Sequence, residues 1–245
     1  MTYGQLKKYE MLLDAYRELY RGNVFNYVDG VKVTDELISL SRELEIHYEA
    51  KKRNANNYYS PLMEAIRIFF KSQRVILEVS NQLFKMGIND SIFSFEENSL
   101  DHIQFGKTVL DISSNSETQK IKEIFSEALK HVNTVLPELE AALSKVSKAK
   151  DQDLVSVIGG GLNILRAKIA FFNSIIAFLE KKFEEAAHRL EESIQYMERA
   201  IEYTKMNLDT KGEVENAEKT EAYLRLLINN YKNTINTLRK HTPNK

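Results

Sequence analysis

Apolar residues in the second half of the chain recur at alternating steps of four and three, the spacing of one face of an α-helix. The first run comprises Ile121, Phe125, Ala128, Val132, Val135, Leu139, Ala142 and Val146. Ser116 and Gln119 form a capping box at its start, and Pro137 within it removes one backbone donor. The pattern predicts a long helix with a kink or a break just before Leu136.

The following segment carries apolar residues on two helical faces. One stripe contains Ile158, Leu162, Leu165, Ile169, Phe172, Ile176 and Leu179, and the second contains Val157, Ile164, Phe171, Ile175 and Phe178. Arg166 and Lys168 divide this segment into uncharged pieces too short to cross a bilayer. We therefore expect a buried core helix with neighbours on both sides.

Two further helices follow with almost no loop between the first of them and the core helix. Their stripes contain Phe183, Ala187, Leu190, Ile194, Met197 and Ile201, and then Ala217, Leu224, Leu227, Tyr231 and Ile235. The short connection before Phe183 favours an antiparallel helical hairpin.

Three helices are predicted in the first half of the chain. The first runs through Leu6 to Tyr20, the second is capped by Thr34, and the third starts at Ser60 and Pro61. The pattern weakens over residues 88–116, where a short helix opened by Ser94 and Glu97 would fit. This stretch is predicted to be either a hinge or a surface excursion.

These segments predict an all-α protein with seven or eight antiparallel helices in one domain spanning residues 1–245. The arrangement would be either a tetratricopeptide-like hairpin stack or a helical bundle. The chain has 9 Gly and 3 Pro, too few for the frequent turns of a sandwich or barrel. Its 43% hydrophobic residues suffice for a continuous core.

Charge and cysteine content narrow the classes of function. Lys plus Arg number 34 and Asp plus Glu 35, so no overall field attracts nucleic acid or an acidic membrane. The absence of cysteine excludes disulfides, thiol nucleophiles and Cys-ligated zinc. With no apolar run of secretory type near the start, we expect a cytoplasmic protein that meets membranes only through a partner.

The candidate metal ligands are Glu185 and His188, whose spacing places two ligands on one helix face in di-iron bundles. His47 and His131 follow a glutamate at an interval of four, which does not repeat the motif. A single pair of ligands is insufficient, and no catalytic triad or nucleotide motif can be assembled. The sequence therefore predicts no metal, no cofactor and no enzymatic activity.

Two other clusters have both a functional and a structural interpretation. Gly159, Gly160 and Gly161 lack the strand before and the Lys and Ser/Thr after that a phosphate loop requires. They indicate either close approach of a neighbouring helix or a kink that starts the helix at Leu162. The basic run at residues 51–53 resembles a single-strand-binding surface or simply offsets a helix dipole.

The second stripe of the core helix offers the candidate binding surface. Phe171, Ile175 and Phe178 either pack against the rest of the chain or line a groove for an amphipathic partner helix.

Residues 167–203 resemble a tetratricopeptide hairpin, with Phe183, Ala186 and Ile194 near its aromatic, alanine and large apolar positions. Ser174 and Ser193 stand where the pattern has small residues. The closing proline is absent, and no 34-residue period recurs in the chain.

The same stretch is similar to the ALIX-type Bro domain in its turn and in the helix after that turn. The matching residues are Lys182, Phe183, Glu185, Ala186, Arg189 and Leu190. The segment at 124–139 resembles the part of that domain before its core hairpins, but the turn glycine is missing. The resemblance implies a curved helical scaffold that binds an ESCRT-III-type helix.

The resulting hypothesis is a non-enzymatic scaffold that binds a peptide or amphipathic helix of a partner protein. One rival is a membrane-associated BAR-like dimer, which needs longer helices and a basic face. The other is a helical-bundle metal protein, which needs more ligands.

Overall fold

The computed structural model describes residues 27–50, 59–85, 93–96, 99–105, 108–111, 115–148, 152–206 and 211–241, with Gly4, Lys7, Lys8, Met11 and Leu12. Its six helices are α1 (Tyr27–Ala50), α2 (Tyr59–Lys85), α3 (Asn115–Lys148), α4 (Gln152–Leu179), α5 (Phe183–Thr204) and α6 (Lys211–His241). The predicted helical class is confirmed. Most of the first predicted helix lies outside the described residues.

A small sheet between α2 and α3 is the exception to the helical pattern. Its strands are β1 (Phe93–Glu96), β2 (Ser99–Phe105) and β3 (Thr108–Asp111), which pair antiparallel in that order. The prediction of a short helix opened by Ser94 was therefore wrong, because Ser94 lies inside β1 opposite Gln104. Phe93 and Phe95 alternate with polar residues at the period of a strand, a signal that the helical interpretation overlooked.

The start of α1 also differs from the prediction. The helix begins at Tyr27 and continues through Gly30, so Thr34 lies inside it and is not its cap. The Thr34 hydroxyl is buried and donates to the carbonyls of Gly30, at 3.0 Å, and Val31, at 2.8 Å. A threonine can satisfy its hydroxyl in this way within a helix, so its presence alone does not mark a helix start.

Pro137 does not divide α3, which is one helix from Asn115 to Lys148. Of the predicted kink or break before Leu136, the break was therefore wrong. Val132 and Leu139, on either side of the proline, are buried in the same apolar cluster. Burial on both sides offsets the cost of a proline in a helix interior, which is about 3 kcal/mol.

Each helix packs against its neighbours along the chain, and α2 also contacts α4. Ion pairs join successive helices: Arg67 with Glu45, Lys145 with Glu64, Arg166 with Glu140, and Arg239 with Glu191. Within the described part of the chain, α1 and α6 share no extensive interface. β1 lies beside α6.

Small buried residues contribute to the contact between α4 and α5. The buried hydroxyl of Ser174 donates to the Ala186 carbonyl at 2.8 Å, and that of Ser193 donates to the Ala167 carbonyl at 2.8 Å. Both are positions where the tetratricopeptide pattern has small residues. The connecting turn places Lys181 at φ 58°, a left-handed conformation.

The glycine cluster lies inside α4, which is helical from Gln152 onwards. A Cβ on Gly159 would lie 2.7 Å from Cδ1 of Tyr203 on α5, and one on Gly161 would lie 3.1 Å from Cδ2 of Phe69 on α2. The cluster therefore accommodates close approach of two neighbouring helices. The alternative, a helix that starts at Leu162, was wrong.

Candidate functional site

The three predicted binding residues occupy different environments. Ile175 is 0% exposed and Phe178 is 1% exposed, and the Phe178 ring packs 5.6 Å from that of Phe183. Phe171 is half-buried, and its ring stacks on Tyr231 of α6 with a centroid separation of 5.3 Å. This corrects the predicted groove, because Ile175 and Phe178 have no surface that a partner could touch.

The position of α4 at the centre of the helices explains this burial. Contacts with other helices surround it: Phe172 with Phe125 of α3, Ser174 with Ala186 of α5, Gly161 with Phe69 of α2, and Phe171 with Tyr231 of α6. Among the described residues, Ile158–Leu179 is the one helical stretch long and apolar enough to cross a membrane. Within its most apolar 18 residues, however, 61% are buried inside the fold.

One side of α4 retains partial exposure. Ile164, Lys168 and Phe171 are each half-buried and follow one another at about one helical turn, so they lie along one side of the helix. We name these three residues the inner stripe. It lies between α2, which Lys168 contacts, and α6, which Phe171 contacts.

Beyond the contact of Phe171 with Tyr231, α6 carries further apolar residues on the same side as Tyr231. Tyr223, Leu227 and Tyr231 are spaced four apart and therefore share a side of α6. Their exposure rises along that side, since Tyr231 is 7% exposed, Leu227 is half-buried and Tyr223 is 49% exposed. We name the inner stripe together with Tyr223 and Leu227 the inner trough.

Lys168 is the cation of the inner trough, and α2 fixes its position. Its Nζ donates to Oε1 of Gln73 at 2.9 Å, and Gln73 is only 2% exposed. A buried amide that accepts from the ammonium restricts a side chain that is otherwise flexible. In the sequence Lys168 only interrupts an apolar run, and that pattern gives no sign of its contact with Gln73.

Arg166, the second cationic residue of α4, lies on a different side of the helix. Nη2 of Arg166 is 2.7 Å from Oε1 of Glu140 on α3. The guanidinium groups of Arg166 and Arg199 lie 5.8 and 5.6 Å from the Tyr196 ring centroid, within cation–π range. Arg166 and Lys168 therefore contact different neighbours, α3 and α2, respectively.

Electrostatic contacts also fix the end of α4. Hydrogen bonds from Lys122 of α3 and then from Lys182 lower the pKa of Glu180 to about 2. Glu180 is therefore ionised at neutral pH and connects α3 to the turn after α4. Glu180 follows Phe171 by nine residues, more than two helical turns.

The candidate metal ligands Glu185 and His188 both lie exposed on α5. His188 is 63% exposed, and its ring nitrogens lie 3.9 Å from Glu191 and 3.6 Å from Glu192. Among the residues described, no three His, Asp or Glu side chains are grouped as metal ligands. The basic run at 51–53 lies outside the described residues.

Comparison with known proteins finds no matching family model, no matching curated protein and no matching solved structure. The resemblances to tetratricopeptide hairpins and to the Bro domain therefore stay predictions that depend on the residues quoted above.

Proposed function

We propose that the protein is a non-enzymatic helical scaffold that binds a peptide or amphipathic helix of another protein along the inner trough. The observation that carries the proposal is the half-buried inner stripe on the central helix. It presents Ile164 and Phe171 at helical spacing between two flanking helices. Amphipathic helices bind grooves lined by apolar residues at this spacing.

An open, alternating stack of helices would provide such a trough. As residue numbers rise along one helix, the residue numbers of its contacts fall along the next helix. Lys122 and Glu140 of α3 contact Glu180 and Arg166, respectively. Ala167 and Ser174 of α4 contact Ser193 and Ala186 of α5, respectively. We propose that the six described helices alternate in direction. The lack of an extensive interface between α1 and α6, both within the described ranges, favours a stack over a closed bundle.

The tetratricopeptide-like hairpin is part of the same proposal. Ser174 and Ser193 are buried between α4 and α5, which supports their assignment to the small positions of that pattern. The Bro-like resemblance, in turn, suggests a helix of the ESCRT-III type as the first partner to test. The inner trough replaces the groove first inferred at Ile175 and Phe178.

The test introduces a charge into the floor of the inner trough. Ile164→Arg adds a long cationic side chain where a partner's apolar residue would pack, so binding of a labelled ESCRT-III-type C-terminal helix should weaken at least about tenfold. Ser144→Arg, at an exposed position of α3, adds the same side chain elsewhere and is the matched control. Fluorescence anisotropy measures binding, and thermal melting checks that each variant folds.

Three results would count against the proposal. Equal binding by the parent and a folded Ile164→Arg variant would exclude the inner trough as the binding surface. Failure of the parent to bind any ESCRT-III-type helix would exclude that class of partner. Failure to enrich binders from a display library of amphipathic helices would remove the scaffold interpretation itself.

A further inference from the structure

The side of α6 opposite its buried residues carries an exposed leucine. Leu226 is 57% exposed. It lies two residues from Leu224 and from Ile228, which are each 4% exposed, and side chains two residues apart point about 200° apart around a helix. Ala222 and Asn229, about one turn before and after Leu226, are also exposed. We name Ala222, Leu226 and Asn229 the outer stripe of α6.

The acidic residues of α6 all lie in its first half, and its second half is basic. The four glutamates of the helix precede Leu226, and no acidic residue of the helix follows it. Lys232, Arg239 and Lys240 come after it. The helix dipole favours such a distribution only within the first and last turns. Glu218 and Lys232 lie about two turns or more from the helix ends, so the dipole does not account for them.

Two glutamates and two lysines are exposed on the same surface as the outer stripe. Within the described part of the chain, the ion pairs of α6 use three other residues, Glu221, Arg225 and Arg239. Glu218 and Lys232 are exposed and lie outside these pairs, as do Glu215 and Lys240. The four side chains are therefore accessible to a second molecule.

We propose that the protein forms a symmetric dimer in which α6 packs antiparallel against α6 of a second copy, with Leu226 on the two-fold axis. In a two-fold interface one surface meets itself, so a residue on the axis contacts its own copy. Leu226 is the central residue of α6 (Lys211–His241), so the two helices would overlap along their whole length, roughly 45 Å. The inference is independent of the proposed function, since Leu226 lies outside the inner trough.

Antiparallel pairing about Leu226 brings opposite charges together. Glu218 precedes Leu226 by eight residues and Lys232 follows it by six, so each lies within about one turn of the other's level on the second copy. They are fourteen residues apart, close to four whole turns, and so share a flank of the helix. Glu215 and Lys240 are related in the same way, and the symmetry repeats each pair. A parallel arrangement would instead set glutamate against glutamate, which is unfavourable.

The oligomeric state of the full chain tests the proposal. One pair of helices makes a small interface, so sedimentation equilibrium is measured up to about 100 μM protein. We expect a dimer that weakens as the ionic strength rises from about 0.05 to 0.5 M, because salt screens exposed ion pairs. Leu226→Glu places two carboxylates at the axis and should weaken the dimer at least about tenfold. Ile46→Glu, at a 52% exposed position of α1, is the matched control and should dimerise like the parent.

Exchange of charges tests the antiparallel arrangement. Glu218→Lys alone and Lys232→Glu alone should each weaken the dimer at least about tenfold, because like charges then face each other twice. The double variant sets opposite charges against each other again, so its dissociation constant should return to within about threefold of the parent. Thermal melting confirms that each variant is folded.

Three results would overturn the inference. The first is a parent protein that stays monomeric throughout the concentration range. The second is a dimer that survives Leu226→Glu as well as it survives Ile46→Glu. The third is a double charge variant that dimerises no better than the two single variants. Each of these results would leave the proposal of the inner trough unaffected.

Discussion

Two adjacent glycines of α4 differ in what surrounds them, although the sequence presents them as one cluster. A Cβ on Gly159 would lie 2.7 Å from Cδ1 and from Cζ of the Tyr203 ring, whereas the nearest atom to a Cβ on Gly160 would be Tyr203 Cβ at 3.6 Å. That second distance is an ordinary van der Waals contact. Only the first glycine is required by the packing of α5 on α4.

We expect Gly159→Ala to destabilise the protein by about 1 to 3 kcal/mol, because the Tyr203 ring must move to admit a methyl group. Gly160→Ala should be neutral or stabilise by up to about 1 kcal/mol, because alanine favours the helix. Urea unfolding of the two variants measures the difference. Equal changes in the free energy of unfolding would contradict the assigned role of Tyr203.

At the scale of an element, α4 carries buried and partly exposed residues on one stripe. Phe178 packs among side chains of the core, while Phe171, two turns earlier, stacks on Tyr231 with part of its ring exposed. Residues of one apolar stripe can thus differ in exposure, because the helices that cover the stripe do not cover its whole length.

Phe178→Ala should cost about 3 to 5 kcal/mol of stability, since the side chain is 1% exposed. Phe171→Ala should cost less, because its ring is only half-buried, and it should weaken partner binding while the fold is retained. Thermal melting and anisotropy with the selected peptides measure the two effects. Similar losses of stability in both variants would assign Phe171 to the core and remove it from the inner trough.

At the scale of the molecule, the helices differ in how many of the described helices they contact. α4 contacts α2, α3, α5 and α6, whereas the buried apolar residues of α1 cluster mainly with those of α2. That cluster contains Leu37, Leu40, Leu44, Met63 and Phe70. Local opening of α1 therefore exposes less of the core than opening of α4 does.

We expect amide hydrogen exchange to be slowest in α4 and faster in α1, with a difference in opening free energy of at least about 1 kcal/mol. Exchange measured by mass spectrometry on the full chain resolves these segments. Uniform protection of all six helices would indicate one cooperative unit and argue against the open stack.

The sequence by itself determined the helical class and the burial of the core helix. Steps of three and four are imposed by helix geometry and can be read without knowledge of the neighbours. Pro61 in the first turn of α2 was predictable for the same reason, because its effect is local. The predictions at Thr34, Ser94 and Pro137 were wrong because each residue is compatible with more than one local backbone structure, and packing selects among these structures.

Only the tertiary structure decided which apolar residues remain exposed. Phe171 and Phe178 follow the same sequence pattern, and their difference comes from the helices that cover each of them. The position of the Lys168 ammonium likewise depends on Gln73, 95 residues away along the chain. Spacing along one helix gives the direction of a side chain, but its exposure and partners depend on segments distant in sequence, which periodicity does not encode.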